Sequence, residues 1–123
     1  IAEEVVARVK AVLRRMLPVI EEDKALFGSL KIDYSARAVE LNGRQVSLLP
    51  RDLSLLLFLS KHPNQTFERE QLIEHVWGID YDGSDRAVDL AVKRIRQQLA
   101  EWPPEEGEIV TLRRMGYQFR VRP

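Results

Sequence analysis

The stretch that most constrains the fold of this chain is residues 84–100, SDRAVDLAVKRIRQQLA. At 100° per residue, its apolar side chains fall in one narrow stripe formed by Val88, Ala91, Val92, Ile95 and Leu99. The opposite side carries Arg86, Leu90, Lys93 and Gln97, with Asp89, Arg94 and Arg96 on the shoulders. The pattern predicts an amphipathic helix that buries its stripe and presents cations, an amide and one leucine to the outside.

Two interpretations of the outer face are open. In a DNA major groove, Arg and Lys match guanine edges, Gln matches adenine, and an aliphatic group contacts the thymine methyl. Alternatively, the face belongs to an ordinary surface helix and is merely solvated, which is the more common case for such a helix taken alone. The rest of the chain has to decide between them.

Charge is unevenly distributed along the chain. The formal net charge is zero, which by itself argues against a generic polyanion binder. Residues 1–85 hold 11 basic and 14 acidic side chains, whereas residues 86–123 hold 8 and 5. Residues 109–123 contain four arginines and no acid. Positive charge is therefore concentrated in the last third, together with the amphipathic helix.

Composition excludes several classes of function. The 123 residues suit one domain, and the lack of cysteine excludes disulfides and thiolate chemistry. No apolar run approaches the roughly 20 residues that span a bilayer, so we expect a cytoplasmic protein without a membrane partner. We find no phosphate loop, nucleophile elbow or paired carboxylates, and His62 and His75 lack metal-ligand spacing. We therefore expect no enzyme activity, cofactor or metal.

The chain begins with a segment distinct from the main domain. Residues 1–17 contain a predicted short helix whose apolar spine must dock on something, since a lone helix of this length is marginal in water. Residues 18–25 are predicted to be a linker, and residues 26–123 form the main domain. Without an initiator methionine, residue 1 is expected to be a cut or processed end.

The main domain shows a regular order of elements. Short strands are predicted at 30–34, 38–41 and 45–48, helices at 50–61, 68–77 and 84–100, and a hairpin at 109–112 and 117–121. Asn42-Gly43 is a two-residue hairpin turn, because both residues tolerate positive φ. Three helices followed by a hairpin predict an α+β winged helix-turn-helix, in which the third helix reads DNA and the hairpin contacts the backbone or minor groove.

The tip of the predicted hairpin supports this interpretation. Arg113 suits a narrow minor groove, where the negative potential favours arginine, although Arg113 and Arg114 could equally solubilise an exposed turn. Trp77 and Trp102 are predicted to be packing anchors, with stacking on single-stranded nucleic acid as the weaker alternative.

Residues 68–78, EREQLIEHVWG, resemble the second helix of OmpR/PhoB-type response-regulator effector domains. The resemblance continues through DRAVD at 85–89, RIRQQL at 94–99, VTLR at 110–113 and GYQF at 116–119, so that it covers roughly residues 26–122. Residues 1–16 resemble the last helix of the receiver domain that precedes such effector domains.

The resemblance implies a winged helix preceded by a four-stranded sheet, with residues 25–27 as the fourth strand. It places on the recognition helix Arg86, Asp89, Leu90, Lys93, Arg94 and Arg96. It also implies a backbone contact by Arg69, wing contacts by Thr111 and Arg113, and an RNA polymerase contact by the loop of Ile79, Asp80, Tyr81 and Asp82. Family members bind direct-repeat half-sites of double-stranded DNA as dimers, and a receiver domain and sensor kinase are implied for the full-length protein.

The chain departs from the family pattern at several positions. Arg114 stands where the wing usually has glycine, and a positive φ there would strain an arginine. Glu68 replaces the usual Ser or Thr before the second helix, which weakens capping. Leu49 stands where a hydroxyl residue is common before Pro50. Ala87 and Ala91 replace larger polar residues, so the half-site sequence of relatives does not transfer.

These observations together predict sequence-specific double-stranded DNA binding in transcription regulation. Bases would be read by Arg86, Leu90, Lys93 and Gln97; phosphates would be held by Arg69, Thr111 and some of Arg94 and Arg96. The alternative is a protein-interaction winged helix that uses residues 1–16 for docking or self-association.

Overall fold

The computed structural model describes residues 19–20, 23–78, 81 and 83–121. In chain order the elements are β1 (Val19–Ile20), β2 (Lys24–Phe27), β3 (Leu30–Asp33), β4 (Ala38–Leu41), β5 (Arg44–Gln45), α1 (Pro50–Lys61), β6 (Thr66–Phe67), α2 (Arg69–Leu72), α3 (Arg86–Gln98), β7 (Gly107–Leu112) and β8 (Gly116–Val121). The predicted N-terminal helix lies outside the described residues.

The first sheet is antiparallel and has five strands in the order β1-β2-β3-β4-β5. The sequence predicted three of these strands, and the resemblance added a fourth. Residues 18–25, expected to be a linker, contain β1 and the start of β2. The predicted strand at 45–48 is shorter than expected, since β5 ends at Gln45. Asn42 and Gly43 have φ of 55° and 80°, as the turn requires.

The three helices occur where they were predicted. Pro50 occupies the first position of α1, where its missing N–H and fixed φ are harmless. Helix α2 continues into a π-helical turn, Ile73–Trp77, which ends at Gly78 with φ of 103°. The backbone N–H of Glu68 donates to Gln71 Oε1 (2.8 Å), so a glutamine partly replaces the missing hydroxyl cap.

The C-terminal hairpin is part of a second sheet of three strands, in the order β6-β8-β7. The sequence did not predict β6, which pairs Thr66 and Phe67 with Gln118 and Tyr117. Gly116 adopts a φ of 118°, and a Cβ there would overlap the carbonyl oxygen of Phe67. The hairpin is therefore held against the segment that precedes α2.

The core lies between the two sheets and the helices. The predicted stripe of α3 is buried, with Val88, Ala91, Val92 and Ile95 fully inaccessible. Trp102 is also buried, stacks on Phe119 and donates its indole N–H to the carbonyl of Phe27 (3.0 Å). This contact confirms Trp102 as a packing anchor and connects the loop after α3 to the first sheet.

The loop between α3 and β7 is attached to the first sheet. The Glu106 carboxylate accepts hydrogen bonds from the backbone N–H (2.7 Å) and hydroxyl (3.2 Å) of Ser29, in the turn between β2 and β3.

Among the described residues, no helix is both long and apolar enough to cross a membrane. The α+β winged-helix prediction is confirmed, with more strands than the sequence indicated.

Candidate nucleic-acid interface

The outer face of α3 is solvent-exposed, as the sequence predicted. Arg86, Leu90, Lys93 and Gln97 are all exposed, and Leu90 retains 49% of its accessible surface. Within the described part of the chain, none of these four side chains forms a hydrogen bond or ion pair. Leu90 is exposed between two cations that have no partner among the described residues, so this face can contact another molecule.

The start of α3 is capped by Ser84. Ser84 Oγ accepts from the backbone N–H of Arg86 (3.1 Å), whereas the side chain of Asp85 makes no capping bond. The side chain of Asp85 is exposed and places a negative charge at this end of α3.

Arg94 is engaged inside the domain. Its Nε and Nη2 donate to Asp52 Oδ2 (2.7 Å) and Oδ1 (2.9 Å), and Asp52 in α1 is only 1% exposed. The hydrogen bonds to Asp52 raise the pKa of Arg94. This bidentate pair joins α3 to α1, so Arg94 has a structural partner that the sequence did not indicate.

Arg96 connects α3 to the wing. Its Nε and Nη2 donate to the carbonyl oxygen of Ile109 (3.2 and 2.8 Å), and Nη2 also donates to Thr111 Oγ1 (2.6 Å). The guanidinium also lies 5.9 Å from the ring centre of Tyr117. Thr111 is exposed and accepts from Arg96, so its own hydroxyl proton remains available for a phosphate.

Asp89 lies at the centre of a second polar cluster. Its Oδ1 accepts from the Tyr117 hydroxyl (2.5 Å) and from Arg69 Nε (2.8 Å). Partial burial opposes ionisation, but the hydrogen bonds from Tyr117 and Arg69 outweigh it and lower the pKa of Asp89. Burial and the bond to Asp89 raise the pKa of Tyr117, and the same carboxylate raises that of Arg69. Asp89 is thus a carboxylate, and Tyr117 a neutral donor, at ordinary pH.

The wing tip is exposed and cationic. Arg113 and Arg114 are both exposed, and Met115 N donates to the carbonyl of Leu112 (2.9 Å) to close the turn. Arg114 has φ of 66°, which is the left-handed conformation foreseen at the position where the family has glycine. An open groove of about 390 Å³ separates the tip from the starts of α2 and α3 and is lined by Arg69, Asp85 and Thr111 among others.

The loop predicted to contact RNA polymerase is only partly described. Ile79, Asp80 and Asp82 lie outside the described residues. The Tyr81 ring lies 6.3 Å from that of Trp77, and its hydroxyl donates to the carbonyl of Ser84 (3.4 Å). Trp77 is half-buried beneath Arg51, whose guanidinium carbon is 5.7 Å from the ring centre. The packing prediction for Trp77 is therefore confirmed.

Sequence reasoning missed two residues that organise this surface, Asp52 and Tyr117. Tyr117 lies on the same face of β8 as the buried Phe119 and Val121, so its ring points inward and its hydroxyl requires a partner. Asp52 is a lone acid near the start of a leucine-rich helix. Either fact could have prompted a search for a partner on the amphipathic helix, but the sequence does not identify which residue it is.

Residues 43–119 match the family described as "Transcriptional regulatory protein, C terminal". The chain belongs to this family.

Relatives of these C-terminal regulatory domains cover nearly the whole chain. The transcriptional regulatory protein ResD of Bacillus subtilis is 40% identical over 96% of this chain and 52% of its own length. The transcriptional regulatory protein AfsQ1 of Streptomyces coelicolor is 45% identical over 92% of this chain and 50% of its own length. The chain thus spans about half the length of these relatives.

Solved structures of the family agree with the fold. The DNA-binding domain of Klebsiella pneumoniae RstA, crystallised with the RstA box, is 38% identical, with a TM-score of 0.69 over 80% of this chain and 98% of that domain. The Thermotoga maritima response regulator DrrB, described as an OmpR/PhoB homolog, is 34% identical, with a TM-score of 0.71 over 96% of this chain and 52% of DrrB. The resemblance to OmpR/PhoB-type effector domains is confirmed.

Proposed function

We propose that this chain is the DNA-binding effector part of a two-component response regulator and recognises specific double-stranded sequences. The observation that carries the proposal is the exposed face of α3, which has no side-chain partner among the described residues and lies beside the cationic wing of a member of this family. In a winged helix, this helix enters the major groove and the hairpin follows the backbone or minor groove. The chain acts by binding rather than by catalysis.

Base recognition is assigned to the outer face of α3. Arg86 and Lys93 suit guanine, Gln97 suits adenine, and Leu90 suits the methyl group of thymine. Because these side chains make no bonds within the described part of the protein, binding DNA breaks no internal contact of theirs.

Backbone contacts are assigned to groups that keep free donors. Within the part of the chain that the structure describes, Arg69 donates through Nε and Thr111 only accepts, so its hydroxyl proton stays available. Arg113 and Arg114 extend the contact at the wing tip, and Arg96 retains Nη1.

We assign Arg94 to the scaffold instead, since Asp52 occupies two of its nitrogens. Asp89 is likewise assigned to an internal contact.

The wider setting follows from the family. We propose that the full-length protein is cytoplasmic, carries a receiver domain controlled by a sensor kinase, and binds direct-repeat half-sites as a dimer. DrrB supports the receiver domain, because a response regulator of about twice this length contains the matching region. The loop at 79–82 is the proposed contact with RNA polymerase.

The experiment is selection of duplexes from a random pool, followed by titration of the best duplex at several salt concentrations. Alanine at Arg86 or Lys93 should cost about 1–3 kcal/mol and relax specificity at one position. Alanine at Arg69 should weaken all sequences alike and reduce the salt slope by about 0.9. Arg44→Ala, on the exposed edge strand β5 of the first sheet, is the matched control and should change neither.

Two outcomes would contradict the proposal. If replacing both Arg86 and Lys93 leaves affinity unchanged, α3 is not the reading helix. If the chain shows no salt-sensitive binding to random duplex at low salt, the rival function is favoured. That rival is a protein-interaction module that docks through residues 1–16, and the zero net charge is the observation on its side.

A further inference from the structure

One carboxylate oxygen joins three elements of the interface. Asp89 Oδ1, on α3, accepts the hydroxyl of Tyr117 from β8 and the Nε–H of Arg69 from the start of α2. Tyr117 is only 4% exposed, so packing fixes the direction of its hydroxyl. Through Asp89, the position of the wing strand therefore also determines where the guanidinium of Arg69 lies.

The presence of an aspartate on the proposed DNA-binding surface requires a physical explanation. A negative charge beside DNA repels phosphates, and the side chain of Asp89 is 38% exposed, so the repulsion is not fully shielded. Among the described residues, Arg69 donates a hydrogen bond to Asp89 through Nε, and its two terminal nitrogens donate none, which leaves them able to bind a phosphate. A carboxylate that holds Nε selects the orientation in which those two nitrogens point away from it.

Given the DNA binding proposed above, we propose that Asp89 is a positioning residue for sequence discrimination. It holds Arg69 and the wing strand in register with the reading face of α3, so that phosphate contacts and base contacts form together. Without it, the remaining cations still attract DNA, but the anchored phosphates no longer place the helix at a defined depth in the groove. The loss is therefore expected in specificity rather than in general affinity.

The test compares Asp89→Ala with Asp85→Ala in the full chain. Both substitutions remove one negative charge from the same end of α3, but Asp85 is exposed and its side chain makes no capping bond. The probes are the best duplex recovered by the parent chain from a random pool and a random-sequence duplex of equal length. The measured quantity is the ratio of the two affinities at one salt concentration.

We expect both variants to bind random duplex at least as tightly as the parent chain, because each removes a repulsive charge. Asp85→Ala should leave the ratio unchanged, whereas Asp89→Ala should lower it about tenfold, the scale of a lost hydrogen bond to a charged group. An equal change in both variants would show that Asp89 acts through its charge alone and would overturn the inference.

Tyr117→Phe provides a second test that changes no charge and keeps the buried ring. It should lower the ratio several-fold, and the double variant with Asp89→Ala should lose no more than Asp89→Ala alone, since the two groups act through one contact. Urea unfolding verifies that each variant folds. If Asp89→Ala does not fold, the affinity ratio of Tyr117→Phe alone tests the inference. An unchanged ratio in Tyr117→Phe refutes the inference, whereas failure of the parent chain to select any duplex refutes the proposed function instead.

Discussion

The pair between Asp52 and Arg94 predicts an asymmetric response to substitution. Asp52 is 1% exposed, and both of its oxygens depend on Arg94, whereas the side chain of Arg94 is 43% exposed. Arg94→Met keeps most of the aliphatic stem but leaves a buried carboxylate without its cation. Asp52→Asn leaves a guanidinium that can turn into solvent.

The magnitudes follow from what each substitution leaves unpaired. Loss of one partner of a buried pair costs about 3–5 kcal/mol. Because water can enter beside the half-exposed Arg94, we expect Arg94→Met to cost about 3 kcal/mol. Asp52→Asn removes a charged hydrogen bond and a charge in the first turn of α1, for about 1.5–2 kcal/mol. The larger loss corresponds to a Tm decrease on the order of 15 °C.

The assay is urea unfolding of the full chain followed by far-UV circular dichroism, with Arg44→Met on exposed β5 as the control, which should stay within about 0.5 kcal/mol of the parent. The salt slope of DNA binding is measured on the same variants and should not change in Arg94→Met. A larger cost for Asp52→Asn than for Arg94→Met would refute the desolvation argument. A slope reduced by about 0.9 would make Arg94 a phosphate ligand.

Three further predictions concern the wing and its contacts. Gly116→Ala should destabilise the chain by at least about 2 kcal/mol in urea unfolding, because the new Cβ meets the carbonyl of Phe67. Gly43→Ala, also at positive φ but in open space, should cost about 1 kcal/mol, and equal costs would contradict the close approach at Gly116. Arg114→Gly should raise the free energy of unfolding by about 0.5–1 kcal/mol, because glycine adopts a φ of 66° without strain, and should weaken DNA binding at low salt, because a cation is lost. A less stable variant would show that the arginine is not strained. The pKa of Asp89 is lower in the folded chain, so its stabilisation is present above pH about 4 and is lost as the pH falls through the folded pKa. Asp89→Asn should therefore make the free energy of unfolding fall less steeply with pH in the acid range, and an unchanged pH dependence would contradict the pKa direction.

The element types of this domain could be read from the sequence because their signals are local. The apolar stripe of 84–100, Pro50 at a helix start and Asn42-Gly43 at a hairpin each depend on residues within a few positions of one another. The short strands β1, β5 and β6 were missed or misplaced because two residues carry no periodicity. They exist because a neighbouring strand offers them hydrogen bonds.

The sequence by itself determined which face of α3 is buried and which is exposed, since burial follows from hydrophobic periodicity along a single helix. Only the tertiary structure decided what the polar side chains at the borders of that face do. Arg94 pairs with Asp52, which lies 42 residues earlier in the chain, and Asp89 pairs with Tyr117, which lies 28 residues later. Such pairs depend on the packing of distant segments, and a charged residue looks the same in the sequence whether its partner is DNA, water or another side chain.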